Sequence, residues 1–354
     1  MKALSPWRDP EVVRSLAAEL AAVTRGPWRI MEVCGGQTHA FVRFGIDRLL
    51  PDGLELVHGP GCPVCVTPAG VVDQAIALAV DHGVLLCTFG DMLRVPGSEA
   101  DLLQARAGGA RVEVVYSPLD AVALARAHPD LQVVFFGVGF ETTAPTVALA
   151  VEAAVASAVD NFSVLVSHVL VPPALRAVAD GVDAFLAAGH VCAIEGMRPY
   201  EGLSRELGLP IVVTGFEPVD LLLGLLACVR QLEGGRAEAE NAYPRAVRAD
   251  GNPTARAAVA RVFEPVDQAW RGIGVLPSSG LRLREHRFDA VHRFGLGAMQ
   301  GRDDPDCMAG EVLRGVRRPT DCPAFGTRCT PDRPLGATMV SSEGACAAYW
   351  RHRR

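Results

Sequence analysis

From Trp28 to about Ala227 the chain alternates short apolar segments with Ala/Leu/Val-rich ones, and this alternation restricts the fold more than any other property. Residues 28–33, 54–58, 84–89, 111–116, 131–137, 162–168, 190–194 and 210–215 read as strands. Residues 68–81, 99–107, 119–127, 145–158, 173–188, 201–207 and 218–232 read as helices. The strands are apolar and β-branched at consecutive positions, the pattern of parallel strands covered on both faces. A further amphipathic helix is expected over 9–24, with Val12, Val13, Leu16, Leu20 and Val23 on one face.

The same region carries an internal echo. Cys34-Gly-Gly-Gln-Thr38-His-Ala40 matches Val138-Gly-Phe-Glu-Thr142-Thr-Ala144, and Val66-Thr-Pro68 matches Val171-Pro-Pro173. Phe89-Gly90-Asp-Met92 matches Glu195-Gly196-Met-Arg198, and Tyr116-Ser-Pro118-Leu-Asp120 matches Phe216-Glu-Pro218-Val-Asp220. The offsets are 104, 105, 106 and 100 residues, in the same order along the chain. The fold expected is α/β: two similar Rossmann-like parallel-sheet domains in tandem, 28–128 and 129–232, facing a cleft. Loops at the carboxyl ends of the strands would line it. Residues 1–27 and 233–354 are assigned to a third domain of helices and loops. Its last fifty residues are rich in Gly, Pro and Cys and need a stabilising ligand.

Apolar residues make up 49% of the 354, enough for a large core, and the net charge of −6 argues against a nucleic-acid surface. Lys2, Arg8 and Asp9 leave no room for a leader's apolar segment. The longest greasy run, Val219 to Val229, is too short to span a bilayer and contains Asp220. A soluble cytoplasmic protein without membrane association is expected, with Arg351-His352-Arg353-Arg354 as a solvated tail.

In a reducing compartment ten cysteines point to metal or redox chemistry rather than a disulfide framework. Cys87, Cys192 and Cys228 sit in apolar runs and read as core thiols. Cys34 ends an apolar strand before Gly35 and Gly36, where the backbone can approach a ligand closely. It is either a packed thiol or a nucleophile or metal ligand. Cys62 and Cys65 form a C-x-x-C at a strand-to-helix turn, the arrangement of a dithiol–disulfide couple; half of a zinc site would need a second close pair, which is absent. Cys307, Cys322, Cys329 and Cys346 are spaced C-x14-C-x6-C-x16-C. Four thiolates close either a tetrahedral zinc site or a [4Fe-4S] cluster, and spacings this open suit the cluster better.

Polar residues after the strands supply cleft candidates: Thr38, His39, Asp91, Arg94, Glu141, Thr142, Thr143, His168, His190 and Glu217. No GxxxxGK[ST], helix-opening GxGxxG, HExxH or GxSxG occurs, so no motif supports a nucleotide-driven or hydrolytic enzyme.

MEVCGGQTHAF, HGPGCPVCVTP, FGDMLRVPGS, GVGFETTAP, GFEPVD and CPAFGTRCTPDRPLGATMVSSEGACAAY occur in this order between Met31 and Trp350. Together they resemble the HypD family of [NiFe]-hydrogenase maturation proteins. Gln37 departs from the histidine common at that point, so a role for a histidine there does not carry over; Ala188 stands where a proline is common. The resemblance implies a scaffold on which the Fe(CN)2CO unit is assembled in complex with HypC, with cyanide delivered by HypE and HypF acting upstream. It implies Cys34 as the ligand of that iron, Cys62 and Cys65 as the redox pair, and a [4Fe-4S] cluster on Cys307, Cys322, Cys329 and Cys346. Electrons would pass from cluster to dithiol to iron. Two other readings use the same residues: an iron–sulfur oxidoreductase reducing a partner's disulfide, which gives Cys34 no task, and a zinc-stabilised binding module.

Overall fold

A computed structural model describes residues 6–353; of the stretch read for a leader, residues 1–5 lie outside the described residues, as does Arg354. Two all-parallel sheets form the α/β body. The first has the order β2-β1-β7-β8-β9, built from β1 (Trp28–Glu32), β2 (Leu54–His58), β7 (Ala184–Ala188), β8 (Ile211–Thr214) and β9 (Ala239–Asn241). The second has the order β4-β3-β5-β6, built from β3 (Leu85–Thr88), β4 (Val112–Val114), β5 (Val133–Gly139) and β6 (Phe162–His168). An antiparallel hairpin, β10 (Phe263–Trp270) with β11 (Gly274–Leu283), completes the strands.

Each sheet is covered on both faces, as consecutive apolar positions require. In the first, Ile30, Leu186 and Val212 face helices Pro10–Val23 and Pro218–Glu233, while Met31, Phe185 and Val213 face the opposite core. In the second, Phe135 and Val164 pack with helices Pro118–Ala127 and Ala144–Ala156, and Val134, Phe136 and Leu165 pack with Ala69–Val80. Cys87, Cys192 and Cys228 are fully buried, as core thiols should be.

The internal echo is present, in a form other than tandem domains. Advancing each strand number by four turns the order β2-β1-β7-β8 into β6-β5-β3-β4, reading the first four strands cyclically after the last four. The two repeats are therefore interlaced: each gives its first two strands to one sheet and its last two to the other. The expected boundary at 128/129 is not the one the sheets follow. Strand alternation specifies parallel pairing but not which sheet a strand joins, because that choice is made by long crossovers such as 59–84.

Four local expectations are also corrected. Residues 184–188 form a strand and 189–195 a helix, the reverse of the order read from their composition. AFLAA is helix-forming in isolation, but it lies between β1 and β8, where complete burial overrides propensity. Helix Pro10–Val23 joins the first sheet's outer layer rather than a third domain, and residues 263–283, expected as helix and turn, form the hairpin. Of the tail expected at 351–354, Arg351 is exposed, but His352 and Arg353 are half-buried: Arg353 pairs with Asp47, and the helix Ala345–His352 packs against helix Gly35–Phe44.

Candidate functional site

At the first sheet's switch point the chain leaves β1 and β7 in opposite directions, opening a crevice at their carboxyl ends. Cys34 caps helix Gly35–Phe44 from the β1 side; His190 enters from the helix after β7. The Cys34 sulfur lies 3.8 Å from His190 Nδ1 and 4.0 Å from Nε2. His190 stacks on Phe216, which follows β8, with ring centroids 5.2 Å apart.

The disulfide loop after β2 forms the third side, and Cys62 and Cys65 are joined. Gly61 lies so close to Cys34 that a Cβ there would stand 2.0 Å from the Cys34 nitrogen, and Gly35 N–H donates to Gly61 O at 2.7 Å. A Cβ on Gly35 would stand 3.1 Å from Cys62 Cβ and 2.5 Å from Glu343 Cβ. Glycine is thus required at 35 and 61 by close approach of three chain segments, not by a left-handed backbone.

Beneath Cys34 lies a polar network that motif reading missed. The Glu32 carboxylate is fully buried. It accepts from Cys34 N–H at 2.9 Å, from the Thr38 hydroxyl and from His58 Nδ1 at 2.7 Å. His58 Nε2 lies 3.2 Å from the Tyr349 hydroxyl, one turn beyond Cys346. The available signal was a glutamate and a histidine ending the two strands WRIME and LELVH, each directly after a buried apolar residue. Gln37, also buried, donates from Nε2 to Ala187 O and Thr214 O, both at 3.1 Å, and so staples the helix to the ends of β7 and β8.

Burial pushes the Cys34 thiol well above its ordinary value, and the carboxylates of Glu32 and Glu343 add to this; N–H groups of Gln37 and Gly36 oppose it. Burial lowers His190 to about 4, so it stands beside the sulfur as a neutral imidazole and a weak base. A buried thiol is costly to ionise here, and a thiophilic cation placed against it would reverse that cost.

The other cleft candidates disperse. His39 lies with Nδ1 3.1 Å from Ser342 O, anchoring the loop that carries Glu343, whose carboxyl is raised by burial and by Asp91. Arg94 donates to Pro331 O and Val340 O, bracing the carboxyl-terminal segment. Glu217 pairs with Arg8, and Thr143 donates to Phe140 O beside Thr142. His168 is buried with both ring nitrogens unpartnered, and burial lowers it to about 4.

Glu141 takes the Val171 N–H at 2.7 Å and leaves its other oxygen unpartnered in a groove with Pro172, Pro199 and Arg256. Burial raises it to about 8. The folded chain therefore keeps a proton that the unfolded chain loses near pH 4.5, and this carboxyl disfavours folding increasingly as pH rises from about 5 to 8. Glu141→Gln is expected to match the parent's urea stability at pH 5 and to exceed it by about 1 kcal/mol or more at pH 8. His168 opposes this slope below pH 6.5 in both proteins, so the difference isolates Glu141. Parallel pH profiles would refute the assignment.

Cys307, Cys322, Cys329 and Cys346 line one cavity walled by Val312, Phe325, Leu335 and Met339. Burial raises Cys307 to about 11 and Cys346 to about 12, with neighbouring sulfurs adding to both. Among the described residues no three or more His, Cys, Asp or Glu side chains close around a single metal-ion position. Nor is any described helix long and apolar enough to cross a membrane.

Residues 11–353 match the sequence model of HypD, described as the hydrogenase formation hypA family. A hydrogenase maturation factor HypD of Azotobacter vinelandii is 49% identical over 369 aligned positions, covering 100% of this chain and 97% of its own length. HypD of Escherichia coli is 46% identical, covering 100% and 99%, and HypD2 of Bradyrhizobium diazoefficiens is 45% identical, covering 100% and 97%. With the motifs, the parallel-sheet body and full-length similarity in agreement, this chain belongs to the HypD family of hydrogenase maturation factors.

Proposed function

We propose that the chain is the scaffold on which the Fe(CN)2CO unit of a [NiFe]-hydrogenase is assembled, with HypC sharing the iron and HypE delivering cyanide. The observation that carries this reading is the seat of the Cys34 sulfur, 3.8 Å from His190 in the switch-point crevice, with the Cys62–Cys65 loop against its backbone. The iron unit is the cargo. Cys34 supplies one thiolate, a ligand that suits low-spin iron, and leaves the remaining positions to HypC and to diatomic ligands. Binding of the iron's positive charge drives the thiol proton off to solvent, and the loop N–H groups of Gly36 and Gln37 stabilise the sulfur once charged.

The carboxyl-terminal cavity suits a [4Fe-4S] cluster held by Cys307, Cys322, Cys329 and Cys346. The open C-x14-C-x6-C-x16-C spacing, without the close pairs typical of a structural zinc site, and the single apolar cavity that all four cysteines border support this reading over a single zinc. When bound, the cluster supplies electrons one at a time. Cys62 and Cys65 store a pair of them as thiols beside Cys34.

The test is the infrared spectrum of the chain co-expressed with HypC and HypE. Cyanide and carbonyl stretches are expected from the parent and lost in Cys34→Ala. Bands that survive in Cys34→Ala, or that are absent from an iron-loaded parent, would refute the scaffold reading; absence together with disulfide reductase activity would favour the oxidoreductase.

A further inference from the structure

The cysteine cavity and the disulfide share a wall. The turn Ala337–Met339 turns Thr338 and Met339 toward the cavity, while Ala337 O lies 4.0 Å from Cys65 Sγ. Thr338 is 1% exposed, and its hydroxyl donates to Cys346 Sγ at 3.2 Å. Cys329 Sγ accepts from the N–H groups of Leu335, at 3.4 Å, and Gly336, and Cys307 Sγ accepts from Ala309 N–H. Those donors are backbone groups. Thr338 acts through its side chain and is one bond along the chain from the carbonyl that touches Cys65.

We infer that Thr338 is a positioning residue for electron delivery: its hydrogen bond to Cys346 sets the reduction potential of the iron–sulfur group in the cavity, and thereby the driving force for opening the Cys62–Cys65 disulfide. The inference rests on the cluster reading above. An O–H dipole aimed at a cluster sulfur stabilises the added electron, so the bond raises the potential and its loss lowers it. Opening the disulfide breaks the S–S bond, consumes two electrons and two protons and leaves two thiols. The electrons come one at a time from a low-potential one-electron donor, dithionite in vitro, and the protons come from solvent.

The experiment uses the full chain, purified anaerobically, as parent, Thr338→Val and Thr338→Ser, with iron and sulfide assays and a redox titration followed by electron paramagnetic resonance. Thr338→Val is expected to shift the reduction equilibrium about tenfold against the reduced form, ~59 mV for a one-electron couple. Thr338→Ser, which keeps the hydroxyl, should titrate with the parent. If Thr338→Val does not assemble, Thr338→Ala removes the hydroxyl without adding a methyl group, and the same shift is expected. A hydroxyl-free variant with the parent's iron, sulfide and midpoint overturns the role of Thr338 and leaves the cluster reading intact. A parent that takes up no four-iron cluster overturns both.

Discussion

Gly61→Ala is expected to lower stability by about 3 kcal/mol or more and to separate the disulfide loop from Cys34. The added Cβ would stand 2.0 Å from Cys34 N, 2.2 Å from Val33 C and 2.4 Å from Cys34 Cα. All three are backbone atoms at the end of a central strand, so no side-chain rotation makes room. Relief requires one loop to move, which breaks the Gly35 N–H bond to Gly61 O. Gly202→Ala is the matched control. That position lies within helix Arg198–Leu207 with open space around it, so the change should stabilise by about 0.5–1 kcal/mol. Urea unfolding measures both, and site-resolved alkylation of Cys34 should rise in Gly61→Ala alone. Equal midpoints for the parent and Gly61→Ala would refute the packing on which the site depends.

The strands around this site were legible because their signal is local. Burial on both faces leaves Val133 to Gly139 no polar positions to alternate, and the turn residues after it bound the segment. The echo between 34–40 and 138–144 was legible for the same reason. The partner of each strand was not, because β1 pairs with β7 at a separation of 154 residues (Ile30 with Ala184), and nothing in either segment distinguishes that partner from β3. Composition failed at AFLAA, where a helix-forming stretch is placed in the middle of a sheet by its neighbours. At the site, Cys34 and His190 were recognisable by chemistry and position, and the geometry brings them together. Arg94, Glu141 and Glu217 share that chemistry and also follow strands, yet each is directed to its own partner. Glu32 and His58 escaped notice because they sit in strands rather than loops, where a polar residue has meaning only once its partners are known.

Glu32→Leu is the second large expected effect, about 3–5 kcal/mol. The substitution leaves Cys34 N–H, the Thr38 hydroxyl and His58 Nδ1 buried without their acceptor. The apolar replacement fills the space but supplies no lone pair, and water cannot reach a group with zero exposure. Glu32→Gln keeps one oxygen and turns an amide toward a donor, so about 1–3 kcal/mol is expected. Tyr349→Phe removes only the outermost link to His58, about 1 kcal/mol. The order of these losses identifies the carboxylate as the centre of the network. A double-mutant cycle separates hydrogen bonding from packing. If unsatisfied His58 causes part of the loss, His58→Leu should cost less in Glu32→Leu than in the parent, with a coupling of about 1–3 kcal/mol. Additive losses would mean that Glu32 and His58 act independently. Tyr349, which reaches Glu32 through His58, would then have no bearing on Cys34 by this route.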